Sequence, residues 1–358
     1  MPNTELESRL KNLLPSFKKK GLGQISQKVL IPLDVTPFYD PDMKVLQVAV
    51  GVVKNTKGQV LISLRDESLH QGGLWEFPGG KIETNETAEQ ALVRELKEEL
   101  AIKVTAATHL MTLNHQYPDI AVQLNVFLVE DYTGDTKSCE GQAFKWVKPT
   151  DLKDYDFPAA NKTIITAACL PAFYAILDDA DESLLWVNLQ KILSRGVKLI
   201  QLRLKTTSSE TIKQFIEEAL FLCKQEDALL LINSAVKNAA IIAVNGIHLT
   251  SHDLMLATKR PDLKLASTKQ ACWVAASCHN LQELLHAQAI GVDFVVLAPV
   301  LNTKTHPETE PLGWEQFTKL VSQVNLPVYA LGGLSECDLN SARIAGAQGI
   351  SAIRTFVG

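Results

Sequence analysis

The 358-residue sequence has no apolar run long enough to span a bilayer, no CxxC pair and no excess of basic residues. Each shortage excludes something. A membrane helix needs about 20 consecutive apolar residues, so no membrane association is expected. The six cysteines (Cys139, Cys169, Cys223, Cys272, Cys278 and Cys337) are scattered. They read as reduced structural thiols rather than as a disulfide framework or a zinc site. The opening residues do not follow the charged, apolar, small-residue plan of a signal peptide, so a cytoplasmic location is expected. A formal net charge of −5 argues against stable nucleic-acid binding, although a single nucleotide remains a possible substrate.

What is present suits packed cores: 46% hydrophobic and 21% charged residues, over a length that favours two domains. Residues 1–42 form a polar, lysine-containing extension, in which "SFKKKGLG" interrupts the helix begun by "LESRLKNLL" before the Pro-rich "IPLDVTPFYDPD". The segment is read as flexible, with Met43 as an alternative start. From 43 to 168, β-rich runs ("LQVAVGVV", "QVLISLR", "IAVQLNVFLVE", "AFKWV") surround a strong helix over Thr87–Leu100, an α+β layout. From 172 to 358, eight short apolar runs alternate with helical stretches: "FYAIL", "KLIQLR", "ALLLIN", "GIHL", "WVAASC", "FVVLAP", "PVYALGG" and "GISAI". That rhythm predicts a (β/α)8 TIM barrel of the α/β class, with a doubly wound open sheet as the competing arrangement.

The most informative stretch is "GGKIETNETAEQALVRELKEELAI", residues 79–102. On its helix Glu95 stands i, i+4 from Glu99 and i, i+3 from Glu98, so the three carboxylates can converge on one side. Like charges packed this closely repel. A hard divalent cation relieves them, and Mg²⁺ (Mn²⁺ being the alternative) prefers carboxylate oxygen and leaves coordination positions for phosphate. Arg94 is suited to orient a carboxylate bidentately. Gly79 and Gly80 allow a loop to approach the helix and turn a carbonyl toward a metal. The competing explanation is a solvated acidic helix face.

These residues carry a family resemblance. Gly80, Glu86 and the run from Arg94 to Ile102 resemble the Nudix box, with Ala101 where that family usually has glycine at a position of positive φ. The resemblance implies a Mg²⁺-dependent α+β hydrolase of nucleoside diphosphates linked to another group. Glu95, Glu98 and Glu99 are its expected metal ligands or base, alongside Arg94 and Gly79. Over residues 43–168 the sequence is similar to the 8-oxo-dGTP diphosphatase (MutT) subfamily, which adds Glu140 as a metal-site residue. It also implies a nucleoside triphosphate substrate met by Arg65, His70, Glu76, Phe77, Pro78, Gly79 and Asn161. Asn161 would read the oxidised base and Phe77 would pack on the purine. The competing roles are a helix cap for Asn161, core packing for Phe77, a surface turn for Glu140 and a plain loop position for His70.

The second domain resembles thiamine-phosphate synthase and thiazole tautomerase, through "QLRLK", "GIHLTSHD", "SCHN", "LAPVLNTKTHP" and "ALGG". The resemblance implies a thiamine-related phosphate ligand near Gln201, Arg203, Lys205, Asn233, Asp253, Thr303, Thr305, Gly332 and Gly333. The sequence departs from that family at Ser234, where an aspartate helps hold magnesium, at Thr250 and Ser251, and at His306, which replaces a lysine. One lost carboxylate and one lost cation point away from synthase turnover, towards a phosphate-binding or tautomerase-like barrel. His248 is expected to be structural. Two alternatives stay open: hydrolysis of a thiamine-pathway pyrimidine diphosphate, and a barrel that only binds ligand.

Overall fold

A computed structural model describes residues 45–358 apart from 69–70, 119, 205–208, 237–243, 263–271 and 304–307. The expectations placed on the N-terminal extension, His70, Lys205, Thr305 and His306 lie outside the described residues.

The N-terminal domain is built on β1 (Val45–Val53), which pairs in parallel with β6 (Ala121–Thr133) and antiparallel with β4 (Gly79–Lys81). The long β5 (Lys103–Gln116) completes a sheet of order β4-β1-β6-β5. A smaller sheet joins β3 (Trp75–Glu76), β2 (Val60–Leu64) and β7 (Phe144–Val147). Side chains of β1 alternate between two cores, as the period of a strand requires. Ala49 and Val53 face helix α1 (Ala88–Leu100), whereas Val50 and Val52 join the core that contains Ile164 and Ala167 of helix α2 (Lys162–Cys169).

Helix α1 starts where the sequence says it should. Thr87 is its N-cap, with a reciprocal capping box to Gln90. Ala91, Leu92, Leu96 and Leu100 form its buried stripe, which leaves the glutamates on the other side. It stops at Ala101, held in the left-handed region at φ 56°, ψ 21°.

The C-terminal domain is a closed parallel barrel, not an open sheet, and each of the eight predicted runs supplies one strand. In chain order these are β8 (Phe173–Asp178), β9 (Leu199–Arg203), β10 (Leu229–Asn233), β11 (Gly246–Leu249), β12 (Trp273–Cys278), β13 (Phe294–Leu297), β14 (Val328–Leu331) and β15 (Gly349–Ala352). Alternation sorts their side chains: Ala175 and Leu177 pack outward under the helices, whereas Tyr174, Phe294 and Tyr329 pack together inside.

The N-terminal domain sits on the end of the barrel where strands begin. Asn325, just before β14, accepts from the Asn114 amide at 3.0 Å and donates its side-chain N–H to the Asn114 carbonyl at 2.7 Å. Gln348, just before β15, donates to the carbonyls of Ala167 and Leu170, both at 3.1 Å. These bonds dock the two domains at the barrel face opposite the strand C-termini, where barrel chemistry resides.

Candidate active site and the barrel mouth

The glycine pair fixes the first site. A side chain at Gly79, whose φ is +145°, would strike the Ala49 carbonyl on β1, and one at Gly80 would occupy the Glu95 carboxylate. Only glycine lets β4 lie between β1 and the acidic face of α1. The Gly79 amide then donates to Glu99 Oε2 at 3.3 Å.

Glu99 is the centre of the arrangement. Burial first, and then the charges of Glu95, Glu76 and Glu140, push its pKa up to about 8, opposed by the Gly79 N–H. Glu140 is brought alongside because its loop caps the C-terminus of α1. Cys139 N donates to the Glu99 carbonyl at 2.9 Å, Lys137 N to the Leu100 carbonyl at 3.0 Å, and Gln142 Nε2 to the Glu99 carbonyl at 3.4 Å.

Arg94 organises the neighbouring carboxylates. It donates to both oxygens of Glu86 at 2.6 and 3.2 Å, to Glu95 at 2.7 Å, to Glu98 at 3.3 Å and to the Lys81 carbonyl at 3.0 Å. Its bonds hold the Glu86 carboxyl below the ordinary range. Glu98 and Glu99 can border one site only where it lies between them; in this structure the Glu98 side chain is 56% exposed, shares Arg94 with Glu95, and is not among the charges acting on Glu99. Neighbours on a helix diverge by about 100°, and the cleft lies on the Glu99 side. Among the described residues no trio of acidic, histidine or cysteine side chains is already drawn together tightly enough to hold an ion.

The adjoining cleft gathers the other expected residues unevenly. Arg65 pairs with Glu76, whose pKa is raised chiefly by burial, against the pull of that guanidinium. Pro78 is buried, and its carbonyl accepts from Gly51 at 2.8 Å, which makes it part of the frame. Phe77 is a correction: it is 3% exposed and stacks on Phe157 with centroids 5.5 Å apart, so its ring offers no free face to a purine. Asn161 is 8% exposed and stands at the start of α2, yet it makes no capping bond, so the cap alternative lacks its geometry. Tyr117 contacts the backbone of Ala160 beside it and feels the charge of Arg65. Tyr117 and Phe157 went unnoticed in the sequence, and so did Lys145, which lies 4.8 Å over the Trp75 ring. No spacing signal links them to the glutamate helix.

At the barrel mouth Asp178, Gln201, Arg203, Asn233, Asp253 and His248 of the described residues are paired with neighbouring side chains. Arg203 at the end of β9 donates bidentately to Asp178 at 2.8 and 2.6 Å. Asp253 accepts from Ser234 and, at 2.9 Å, from Thr250. Asn233 Nδ2 donates to Gln201 Oε1 at 2.8 Å, and Gln201 donates to the Tyr174 hydroxyl at 3.3 Å. That hydroxyl meets His248 Nδ1 at 3.0 Å, and His248 Nε2 meets Ser277 at 2.9 Å. His248 is therefore a buried structural imidazole, its pKa pushed down to about 3 by burial and then by the charge of Arg203. Gly332 and Gly333, at φ +112° and +69°, let β14 turn against Pro299 and the Asn302 carbonyl, where side chains would collide. Beyond them the Asp338 carboxylate already accepts from Ser335 N at 2.8 Å. Thr303 is half-buried on the loop after β13.

Two family models match the chain: the NUDIX domain over residues 49–167 and thiamine monophosphate synthase over residues 173–356. It belongs to both families. The Nudix portion is 41% identical over 123 residues to the 8-oxo-dGTP diphosphatase of Escherichia coli, covering 34% of this chain and 95% of that one. It is also 33% identical over 125 residues to the CTP pyrophosphohydrolase of the same organism, covering 35% of this chain and 92% of that relative. The barrel is 30% identical over 180 residues to the thiamine-phosphate synthase of Prochlorococcus marinus subsp. pastoris, 49% of each chain. The protein is thus a Nudix hydrolase acting on phosphoric anhydrides, related to 8-oxo-dGTP diphosphatases, with a thiamine-phosphate synthase-like barrel. Among the described residues no helix is long and apolar enough to cross a membrane.

The donor set of the Nudix site fits a hard divalent cation. The carboxylates acting on Glu99, those of Glu95, Glu76 and Glu140, offer oxygen, and their mutual repulsion is the force a cation relieves. In the described conformation Arg94, not a trio of ligands, satisfies Glu95 and Glu98.

Proposed function

We propose that the Nudix domain hydrolyses 8-oxo-dGTP to 8-oxo-dGMP and diphosphate with Mg²⁺, or Mn²⁺ in its place. This is a nucleotide-pool sanitation reaction that supports DNA repair in the cytoplasm. The observation that carries the reading is Glu99, half-buried among Glu95, Glu76 and Glu140 beside the Gly79 N–H. Glu95, Glu98, Glu99 and Glu140 would hold the ion, with Glu98 reaching it by leaving Arg94, and Gly79 would border it. When bound, the ion supplies charge that neutralises the phosphate oxygens and eases departure of the leaving group.

The residues of the chain do the rest. Arg94 holds Glu86 and Glu95 and so sets the helix face against the glycine strand. A glutamate of the cluster takes a proton from the attacking water, whose oxygen bonds to a phosphorus of the α–β anhydride as that P–O bond breaks, giving 8-oxo-dGMP and diphosphate. Arg65, released from or shared with Glu76, meets a phosphate or a base oxygen. Asn161 offers a donor and an acceptor to the edge of the oxidised base. Phe157, half-buried outside Phe77, is the better candidate for a stacking surface.

For the barrel we infer binding of a thiamine-related phosphate without synthase turnover, supported by the closed Ser234–Asp253–Thr250 set. The deciding assay compares kcat/KM of the full chain with Mg²⁺ for 8-oxo-dGTP, dGTP, CTP and the thiamine pyrimidine diphosphate. A clear preference for 8-oxo-dGTP is expected. A faster reaction with CTP or with the thiamine pyrimidine would sink the purine reading and leave the hydrolase.

A further inference from the structure

The seam between the domains holds a third polar site, at the barrel end opposite the strand C-termini. Lys54 at the end of β1, Arg343 of the helix Leu339–Ile344 and Gln348 before β15 line a cleft of about 220 Å³, with Glu130 at its side and Leu110 and Leu128 as apolar wall. Its polar groups are incompletely matched. Arg343 Nε is buried with no acceptor. Gln348 is 3% exposed and spends both Nε2 hydrogens on Ala167 and Leu170, while its Oε1 has no donor. Among the described residues neither Lys54 nor Arg343 forms an ion pair within 4.0 Å. Burial lowers the Lys54 pKa and the charge of Arg343 adds to that, against Glu130 and the Cys169 thiol, so the two cations lie within each other's fields.

Two cations and an orphan donor call for an anion, and an orphan acceptor beside them calls for an O–H. A phosphate group offers both; sulfate and carboxylate at neutral pH offer only the first. We propose that this seam binds a phosphate group, as inorganic phosphate or a small phosphate monoester. Its oxygens accept from Arg343 Nε and the Lys54 ammonium, and its P–O–H donates to Gln348 Oε1. The ligand bridges the domains, because Lys54 belongs to one and Arg343 and Gln348 to the other. The site is separate from the glutamate cluster and from the barrel mouth.

The test is calorimetric titration of the full chain with inorganic phosphate at neutral pH, without divalent cations, beside sulfate and methyl phosphate. A saturable seam site is expected, weakened at least roughly tenfold in Lys54→Met and in Arg343→Met and unchanged in Glu99→Gln and Arg203→Met, which separate it from any phosphate bound at the Nudix helix or the barrel mouth. Sulfate is expected to bind at least roughly tenfold more weakly than phosphate. Above the second pKa of a phosphate ester, roughly pH 6, the ester has lost its O–H. Weaker ester binding there identifies inorganic phosphate as the ligand; equal or tighter ester binding would show that no P–O–H reaches Gln348 Oε1 and would overturn that contact. Phosphate should also raise the Tm of the parent and not of the two seam variants, a readout that holds if either variant is less stable at the outset. No saturable binding at tens of millimolar phosphate, or binding that both seam variants retain in full, overturns the proposal. Loss of binding in Arg203→Met or Glu99→Gln instead would move the phosphate to one of the other two sites.

Discussion

The Nudix helix and the barrel mouth are built on opposite electrostatic plans. At the Nudix helix, Glu99 is half-buried among Glu95, Glu76 and Glu140, with one backbone N–H for relief. At the barrel mouth, Arg203 has Asp178, Asp253 has Ser234 and Thr250, and His248 has Tyr174 and Ser277. The first arrangement gains most from an added cation; in the second, the described carboxylates already have donors among its own side chains. The same residue types serve chemistry in one and packing in the other, and the difference lies in which charges are left over. A mouth whose carboxylates are already engaged has less to offer a metal and a diphosphate, even where the strand ends keep the family's words.

The contrast can be broken most severely at Glu99. Glu99→Gln keeps the shape and removes the charge, so kcat for the anhydride should fall by roughly 10²–10³, about 3–4 kcal/mol of barrier. Circular dichroism should be unchanged. Asp253→Asn in the same assay should leave kcat within a factor of about two. Equal losses would mean that the two domains share one catalytic apparatus.

The barrel responds to protons instead. His248 is held near pKa 3 when folded, against an ordinary value of 6.5. A depressed folded pKa gives stability that is full above pH 6.5 and is lost as pH falls through the window towards 3. In acid melts the parent should lose on the order of 2 kcal/mol or more across that window, and His248→Asn should flatten the loss. An unchanged acid slope in the variant would mean that other groups control the barrel's acid unfolding.

The smallest effect concerns the frame of the first site. Ala101 occupies a left-handed C-cap at φ 56°, where a side chain costs energy and glycine does not. Ala101→Gly should raise stability by about 0.5–1 kcal/mol, visible as a higher Tm, with kcat little changed. A lower Tm would mean that the lost side-chain contacts outweigh the backbone relief.

Much of this contrast was legible before any coordinates. The eight barrel strands match eight apolar runs because each buried parallel strand is a short hydrophobic stretch closed by polar or glycine residues. Helix α1 was legible as a strong helix over Thr87–Leu100, and it runs from its N-cap Thr87 to Leu100. Strand β5 did not, because "KVTAATHLMTLNHQ" is polar along one edge and is held by pairing with β6 through several register shifts. Strands β3 and β4 were too short to carry a period.

At the site, spacing placed Glu95, Glu98 and Glu99 on adjacent faces, but it could not say which side the glycine strand would cover. That is why Glu98 proved exposed. Phe77 is taken into the core by Phe157, a partner far along the chain. The docking of the Nudix domain on the barrel end where strands begin depends on Asn114, Asn325 and Gln348, none of which has a sequence signature.

The most direct test of the account is a Mn²⁺ titration, followed by water-proton relaxation, of the parent, Glu99→Gln and Asp253→Asn. The account predicts one site in the parent, unchanged in Asp253→Asn and weakened at least roughly tenfold in Glu99→Gln. Parent-like affinity in Glu99→Gln, or its loss in Asp253→Asn, would contradict the assignment of the cation to the Nudix helix.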